Sequence, residues 1–280
     1  MALQIYTNIA ALSAQRNLDK SNNALSISVQ RLSSGLRINS AKDDAAGLSI
    51  SEKLRAHIRS ISVAVRNSQD GISLAQTAEG GLNEIGNILA RLRELAEQSA
   101  NGSLGTTERS ALDNEYAQLL SEIDRIAEVT EFNGVKLING AQCASGITLQ
   151  VGFQNTANDR ITFLSGIAAT STTILGITGL FATISSAGNA QSALTQIDSA
   201  INTVAQRRGT LGAIQSRLEV TISNLGIASE NLSAADSRIR DADFAYETAI
   251  FTRNQILIQA GTAILAQANT LPQNVLTLLR

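Results

Sequence analysis

The sequence predicts a mainly α-helical protein: a rod of long antiparallel coiled-coil helices, with a small β-hairpin region and both chain termini at one end. Three observations carry this. Apolar residues recur at alternating four- and three-residue intervals through most of the chain, the spacing that lines one face of a helix in a coiled coil. The turn dipeptides Asn133-Gly134 and Asn139-Gly140 mark where that spacing gives way to strand-like segments. The 280 residues include one Pro and no Trp, and only 3% are aromatic, whereas Ala, Leu, Ile, Ser, Asn and Gln dominate. That is the make-up of long helices meeting through small, close-fitting faces, since a compact globule holds more aromatic anchors.

The first element is a helix over Ile5 to Leu36. Ile5, Ile9 and Leu12 begin its seam, and after a small shift Leu18, Leu25, Val29, Leu32 and Leu36 continue it. Ser33 to Gly47 then loses the heptad and gathers Gly, Ser and Asp, which reads as a connector. Within it, Lys42, Asp43 and Asp44 are surface charges at a helix start rather than a catalytic cluster. The seam resumes at Leu54, Ile58, Ile61, Val65, Ser68, Ile72 and Ala75, then shifts phase to Ala78, Leu82, Ile85, Leu89, Leu92, Ala96 and Ser99. At about 1.5 Å per residue this helix is roughly 70 Å long. Asn101 to Gly105 ends it, and Leu112, Tyr116, Leu119, Ile123 and Ile126 define an antiparallel neighbour.

Past Phe132, Val135 to Ile138, Ile147 to Val151 and Arg160 to Phe163 are short strand candidates for a hairpin. Ile161 to Ile197 carries no charge and is rich in Ser, Thr, Gly and Ala. Helix, strand and exposed loop all remain open there, and the hydroxyls are candidate O-glycan acceptors. The last element keeps its spacing from Leu194 through Leu211, Leu225 and Ile239, then through Tyr246, Ile250, Arg253, Leu257, Ala260, Ile264, Gln267 and Leu271. A gap near Asp236 to Asp243 mirrors the connector at Ser33 to Gly47, so the chain folds back on itself.

The run from Asn254 to Leu279 holds no charge, yet its many amides, Gly261 and Pro272 argue against a bilayer span. A helix with neither solvating charges nor a continuous apolar surface fits best inside a packed assembly of helices. The N-terminal helix has the same uncharged polar character, so the two chain ends read as partners. A membrane-active helix and a helix buried in its own monomer are the other readings.

Composition excludes several classes of function. The net charge of −2 gives no nucleic-acid footprint. A single Cys143 and a single His57 rule out an intramolecular disulfide, a Cys-cluster metal site and multi-His metal sites. No catalytic constellation, phosphate loop or cofactor site is visible, so an enzyme is not expected. No run is apolar and long enough to span a membrane, and the segment after Met1 lacks the features of a cleavable signal peptide.

The segments Asn8 to Leu12, Arg31 to Gly47, Asp70 to Gly80, Arg93 to Asn101, Glu131 to Leu137 and Leu265 to Leu276 resemble bacterial flagellin. These long matches spread over nearly the whole chain. The resemblance implies the structural subunit of the flagellar filament, extracellular and self-polymerising through its terminal helices. It implies inner-core helices over residues 1–40 and 238–280 and a helical rod domain with the hairpin over 41–237. Residues 143–190 stand in place of large variable outer domains, so this is a short form. Self-assembly is expected through Ile5, Ile9, Leu12, Leu25, Leu32, Tyr246, Ile250, Leu257, Ile264 and Leu271. The implied partners are further copies of the chain, an export chaperone on Tyr246 to Leu278, the flagellar type III export apparatus, and the filament cap and hook-associated proteins. Toll-like receptor 5 is a further implied partner, through Arg91, Leu95 and Glu115. Tyr6 stands where the family more often has Asn. A hook–filament junction protein and a secreted membrane-active helical protein are the alternatives.

Overall fold

The computed structural model describes residues 7–140, 146–163, 171, 175–177 and 182–278. Ile5, Tyr6 and Cys143 lie outside the described residues, as does most of the stretch 164–181. Five helices carry the fold: α1 (Ile9–Ser34), α2 (Ala45–Ala100), α3 (Thr106–Val129), α4 (Ala187–Arg240) and α5 (Phe244–Leu278). Four short strands form two antiparallel hairpins, β1 (Glu131–Phe132) with β2 (Val135–Lys136), and β3 (Ile147–Gln150) with β4 (Arg160–Phe163). The chain divides into two compact units, Met1–Ile58 with Glu230–Arg280, and Arg59–Ser229.

In the second unit the expected seams are the core. Ala78, Leu82, Ile85, Leu89, Leu92 and Ala96 of α2 are fully buried, with Tyr116 and Ile123 of α3 and Ile197, Leu211 and Leu218 of α4. The polar members of the α4 seam find matched partners. The Arg208 guanidinium lies 3.8 Å from the Glu79 carboxylate, and Gln215 donates to the same carboxylate at 3.1 Å. Arg93 and Asp198 close at 2.8 Å further along, so α2 and α4 run antiparallel here. Arg109 of α3 donates to the carbonyls of Ser99 at 2.9 Å and Asn101 at 2.7 Å, satisfying acceptors that the end of α2 leaves open.

Helix α2 runs unbroken through Gly71, Gly80, Gly81 and Gly86, although each glycine interior to a helix costs up to about 1 kcal/mol. Tertiary packing explains two of these positions. Leu149 of β3 packs into the space a side chain at Gly71 would occupy, and Thr130 and Ile138 close over Gly81. Gly80 and Gly86 face open space.

Among the described residues there are two hairpins where one was expected. Asn133 and Gly134 both have positive φ, 50° and 76°, so they form the two-residue turn with left-handed central residues that suits Asn-Gly. This turn pairs Phe132 with Val135 and Glu131 with Lys136. The strand ends at Lys136, short of the expected Ile138, because Leu137 and Ile138 turn into the core and are fully buried. In the second hairpin Leu149 pairs with Ile161 and Gln150 with Arg160.

The segment leading into α4 is clamped. Asp113 of α3 accepts from the Ile184 backbone N–H at 2.6 Å and from the Thr183 hydroxyl at 2.8 Å, and the Ser99 hydroxyl donates to the Ile184 carbonyl. Ile184 itself is fully buried. Removing the carboxylate leaves a backbone N–H without its partner, which costs about 1–3 kcal/mol when buried.

The last helical element is two helices. α4 ends at Arg240 and α5 begins at Phe244, within the gap expected near Asp236 to Asp243. α1 covers less than the expected Ile5 to Leu36, since Gly35 adopts φ 72° and terminates it.

Two outcomes are expected. Gly71→Ala forces Leu149 from its notch and lowers the urea midpoint by the equivalent of about 1–3 kcal/mol, whereas Gly80→Ala is neutral or stabilising. The hydroxyl of Tyr116 is pushed up from 10.0 to about 12 by burial, with the nearby Asp113 charge adding to it. The unfolded chain therefore loses this proton first, and the contribution is complete below about pH 10 and lost as pH rises towards 12. Urea titrations across that range read a falling midpoint, and Tyr116→Phe flattens the fall.

Candidate assembly interface

In the first unit α1 and α5 pair along their length. The α1 residues turned inward are Ala11, Ala14, Leu18, Ser21, Leu25, Ser28 and Leu32, and those of α5 are Glu247, Phe251, Asn254, Ile258, Gly261, Leu265 and Ala268. Both rows keep the alternating spacing of a coiled coil, and many of their members are small. Three contacts set an antiparallel register. The Asn8 side chain donates to the Ala268 carbonyl at 2.8 Å while accepting from Ala11 N–H at 3.0 Å as the cap of α1. Leu18 packs over Gly261, where a Cβ would stand 3.0 Å from its methyl. Arg31 and Glu247 form an ion pair at 3.5 Å.

The Glu247 side chain is 6% exposed and that of Arg31 30%. Such a pair adds little net stability, because desolvation offsets the attraction, but only one alignment of the helices satisfies it. Ser28 and Asn254 are the other polar residues buried along these two helices among the described residues.

At the base of the pair the connector meets the α4–α5 break. Leu36 and Asp241 form an antiparallel bridge. Arg37 N–H donates to the Arg240 carbonyl at 2.6 Å, Ala242 N–H to Gly35 at 3.0 Å, and the Arg37 guanidinium to Ile239 at 2.6 Å. Aspartates cap the adjoining helices: Asp44 accepts from Gly47 N–H at 2.9 Å, and Asp243 from Ala245 and Tyr246 at 3.0 and 3.1 Å. Asp43 accepts from the backbone of Ser40 and Asn39 and from the Ser40 hydroxyl, and those bonds hold its carboxyl below the usual carboxylate value. The reading of Asp43 and Asp44 as helix-start charges holds.

The face of α5 that meets α1 is one residue along from the expected seam. Tyr246 is 66% exposed, Leu257 47% and Ile264 58%, while Ile250 is half-buried. On α1, Ile9 and Leu12 are exposed, as is Val29, and Leu25 and Leu32 are half-buried. Ile5 and the side chain of Leu271 lie outside the described residues. The inner face is the one with matched partners: Gly261 leaves a notch that Leu18 fills, Glu247 meets Arg31, and small residues alternate with Leu25, Leu32, Phe251, Ile258 and Leu265. Both rows repeat with the same period, offset by about 100° around the helix, so spacing alone does not rank them. The outer row is left open: with Phe244 and Ile256 also exposed, it borders a shallow groove along α5 lined by Thr248, Ala249, Thr252 and Arg253.

In the second unit Arg91 bonds Glu115 through two nitrogens at 3.0 and 2.8 Å and Glu94 at 2.9 Å, all on an exposed surface. The Glu115 bond, then the Glu94 bond, raises the Arg91 pKa. Leu95, expected beside them in recognition, is 1% exposed and belongs to the core. Of the three, Arg91 and Glu115 are brought together and Leu95 is not presented.

Among the described residues no group of His, Cys, Asp and Glu is placed to hold a metal ion, and no helix is long and apolar enough to cross a membrane. The chain pairs its two ends through one row and leaves a second apolar row open on α5, the kind of surface that the packed helices of a polymer's subunits share. The bacterial flagellin N-terminal helical region matches residues 5–143, and the bacterial flagellin C-terminal helical region matches residues 194–279. The chain belongs to the bacterial flagellin family. It is similar to a flagellin of Halalkalibacterium halodurans, 48% identical over 98% of each chain. It is also similar to a flagellin of Bacillus subtilis, 45% identical over 99% of this chain and 100% of that one. A solved structure described as a flagellar hook-associated protein of Vibrio parahaemolyticus is 15% identical, with a TM-score of 0.56, covering 71% of this chain and 100% of that one. That likeness shows the shared fold alone and does not favour the junction-protein alternative. The chain is a structural subunit of the extracellular flagellar filament, self-assembling and not an enzyme.

Arg31→Leu strands the buried Glu247 carboxylate. Hydrogen exchange across α1 and α5 is expected to quicken most near Ser28 and Glu247, and Arg31→Leu combined with Glu247→Leu restores most of the loss.

Proposed function

We propose that the open row of α5, with Ile9 and Leu12 of α1, is the surface through which the subunit adds to the filament. The observation that carries this is the exposure of Tyr246, Leu257 and Ile264 beside a fully used inner row. Leu25, Leu32, Ile250 and Leu271 belong to the same two helices and, with Ile5, complete the proposed set. Residues 1–40 and 238–280 form the inner core of the filament, and 41–237 the layer outside it. Burying about ten Leu, Ile and Val side chains at roughly 1.5–3 kcal/mol each offsets the entropy of ordering the terminal helices on addition. Uncharged amides on these helices avoid repulsion where many copies crowd around one axis.

The same open row suits an export chaperone that covers Tyr246 to Leu278 until the chain passes unfolded through the type III export apparatus. The filament cap and hook-associated proteins then meet it at the ends of the filament. Arg91 and Glu115 are proposed as a recognition surface for Toll-like receptor 5, with Leu95 supporting α2 from beneath. Binding of the monomer to the receptor ectodomain is expected to weaken in Arg91→Ala, and equal binding by the variant removes this role.

Electron microscopy of depolymerised protein returned to neutral pH with short seeds tests assembly. Long uniform filaments are expected from the native chain and none from Leu257→Asp or Ile264→Asp, whose monomers keep helical circular dichroism. Deleting residues 250–280 abolishes polymerisation and leaves residues 50–235 folded. Normal filaments from these variants would overturn the assignment.

A further inference from the structure

We propose that Asn133 is a site of spontaneous covalent modification, converting to aspartyl and iso-aspartyl forms ahead of the other two Asn-Gly pairs of the chain, Asn101-Gly102 and Asn139-Gly140. In this reaction the backbone nitrogen of Gly134 attacks the side-chain carbonyl carbon of Asn133. A nitrogen–carbon bond forms, the bond to the side-chain nitrogen breaks, and ammonia leaves with the proton from Gly134. Water then opens the resulting five-membered imide at either carbonyl. One opening gives an ordinary aspartyl residue, the other an iso-aspartyl residue whose main chain runs through the side-chain carbon. No oxidant or enzyme is needed.

All three pairs share the sequence requirement, a glycine whose lack of a side chain leaves its nitrogen free to approach. The structure separates them. Asn133 and Gly134 are both exposed, and the space where Gly134 would carry a Cβ is open. Among the described residues no hydrogen bond holds the Asn133 side chain. The Asn139 amide instead donates to Glu128 at 3.2 Å, and the Asn101 side-chain oxygen accepts from Ser103 N–H at 3.1 Å. Each of those tethers must break before the side-chain carbon can swing onto the next nitrogen. The turn at Asn133 is closed only by strands of two residues each, so local opening that lets the backbone reach the reactive geometry is cheap.

The two products differ in consequence. Asp-Gly suits the same left-handed turn as Asn-Gly, so the aspartyl form keeps the hairpin. The iso-aspartyl form lengthens the main chain by one carbon. It shifts Val135 and Lys136 against Glu131 and Phe132, strains the 2.6 Å Lys136–Glu131 ion pair, and pulls on the buried Leu137 and Ile138. The site therefore marks the age of a subunit and loosens its second unit.

The test is incubation of the purified full chain at mildly alkaline pH, with peptide mapping by mass spectrometry and iso-aspartyl detection, beside the same chain in denaturant. In the folded chain Asn133 is expected to convert several-fold faster than Asn101 and Asn139, and in denaturant the three rates converge. Asn133→Asp is expected to remove the fastest phase and leave conversion at Asn101 and Asn139 unchanged. A folded chain that converts the three sites in the same ratio as the denatured chain overturns the proposal.

Discussion

The close approach of α1 and α5 is the constraint on which the first unit depends. The facing rows mix small residues, Ala11, Ala14, Ser21, Gly261 and Ala268, with Leu18, Leu25, Phe251, Ile258 and Leu265, so large side chains seat beside small ones. Each row repeats along its helix, so apolar burial alone tolerates a slide by a turn. The directional contacts compensate: the Asn8 cap that also reaches Ala268, and the Arg31–Glu247 pair at the other end. Together they convert a tolerant surface into one register.

Large apolar residues of α5 also lie on its outer face, where Tyr246, Ile256, Leu257 and Ile264 are exposed. The internal pairing and the open external surface are thus two aspects of one sequence, written with two overlapping repeats.

That overlap explains what was legible before the fold was known. The α2 and α4 seams of the second unit read cleanly because each is a single apolar row against charged or polar neighbours, and even Arg208 and Gln215 on the seam found Glu79. The Asn-Gly turn at Asn133 was equally plain, since few residues other than Asn and Gly accept two successive left-handed conformations. On α5 the pattern held two rows of the same period, and the apolar weights favoured the row that faces outward. Leu95 is buried although the segment that suggested it was carried over as a set, because the helix places Arg91 and Leu95 on different sides of the core boundary. The clasp between Leu36 and Asp241 had only a faint signal, two gaps of similar composition at matching distances from the chain ends. The charge-free stretch after Phe163 has no period to read.

The clamp on Ile184 bears on how this scaffold accepts foreign sequence. Asp113 and Ser99 grip the backbone just before α4, and Phe163 is paired with Ile147 at the end of the second hairpin. The stretch between them begins and ends at fixed points. Lengthening a loop whose ends are already pinned adds only a logarithmic entropy term, about 0.6 kcal/mol for each doubling. A graft placed there is thermodynamically insulated from the helices, so the molecule is a display platform whose cargo can be exchanged without redesigning the base that carries it.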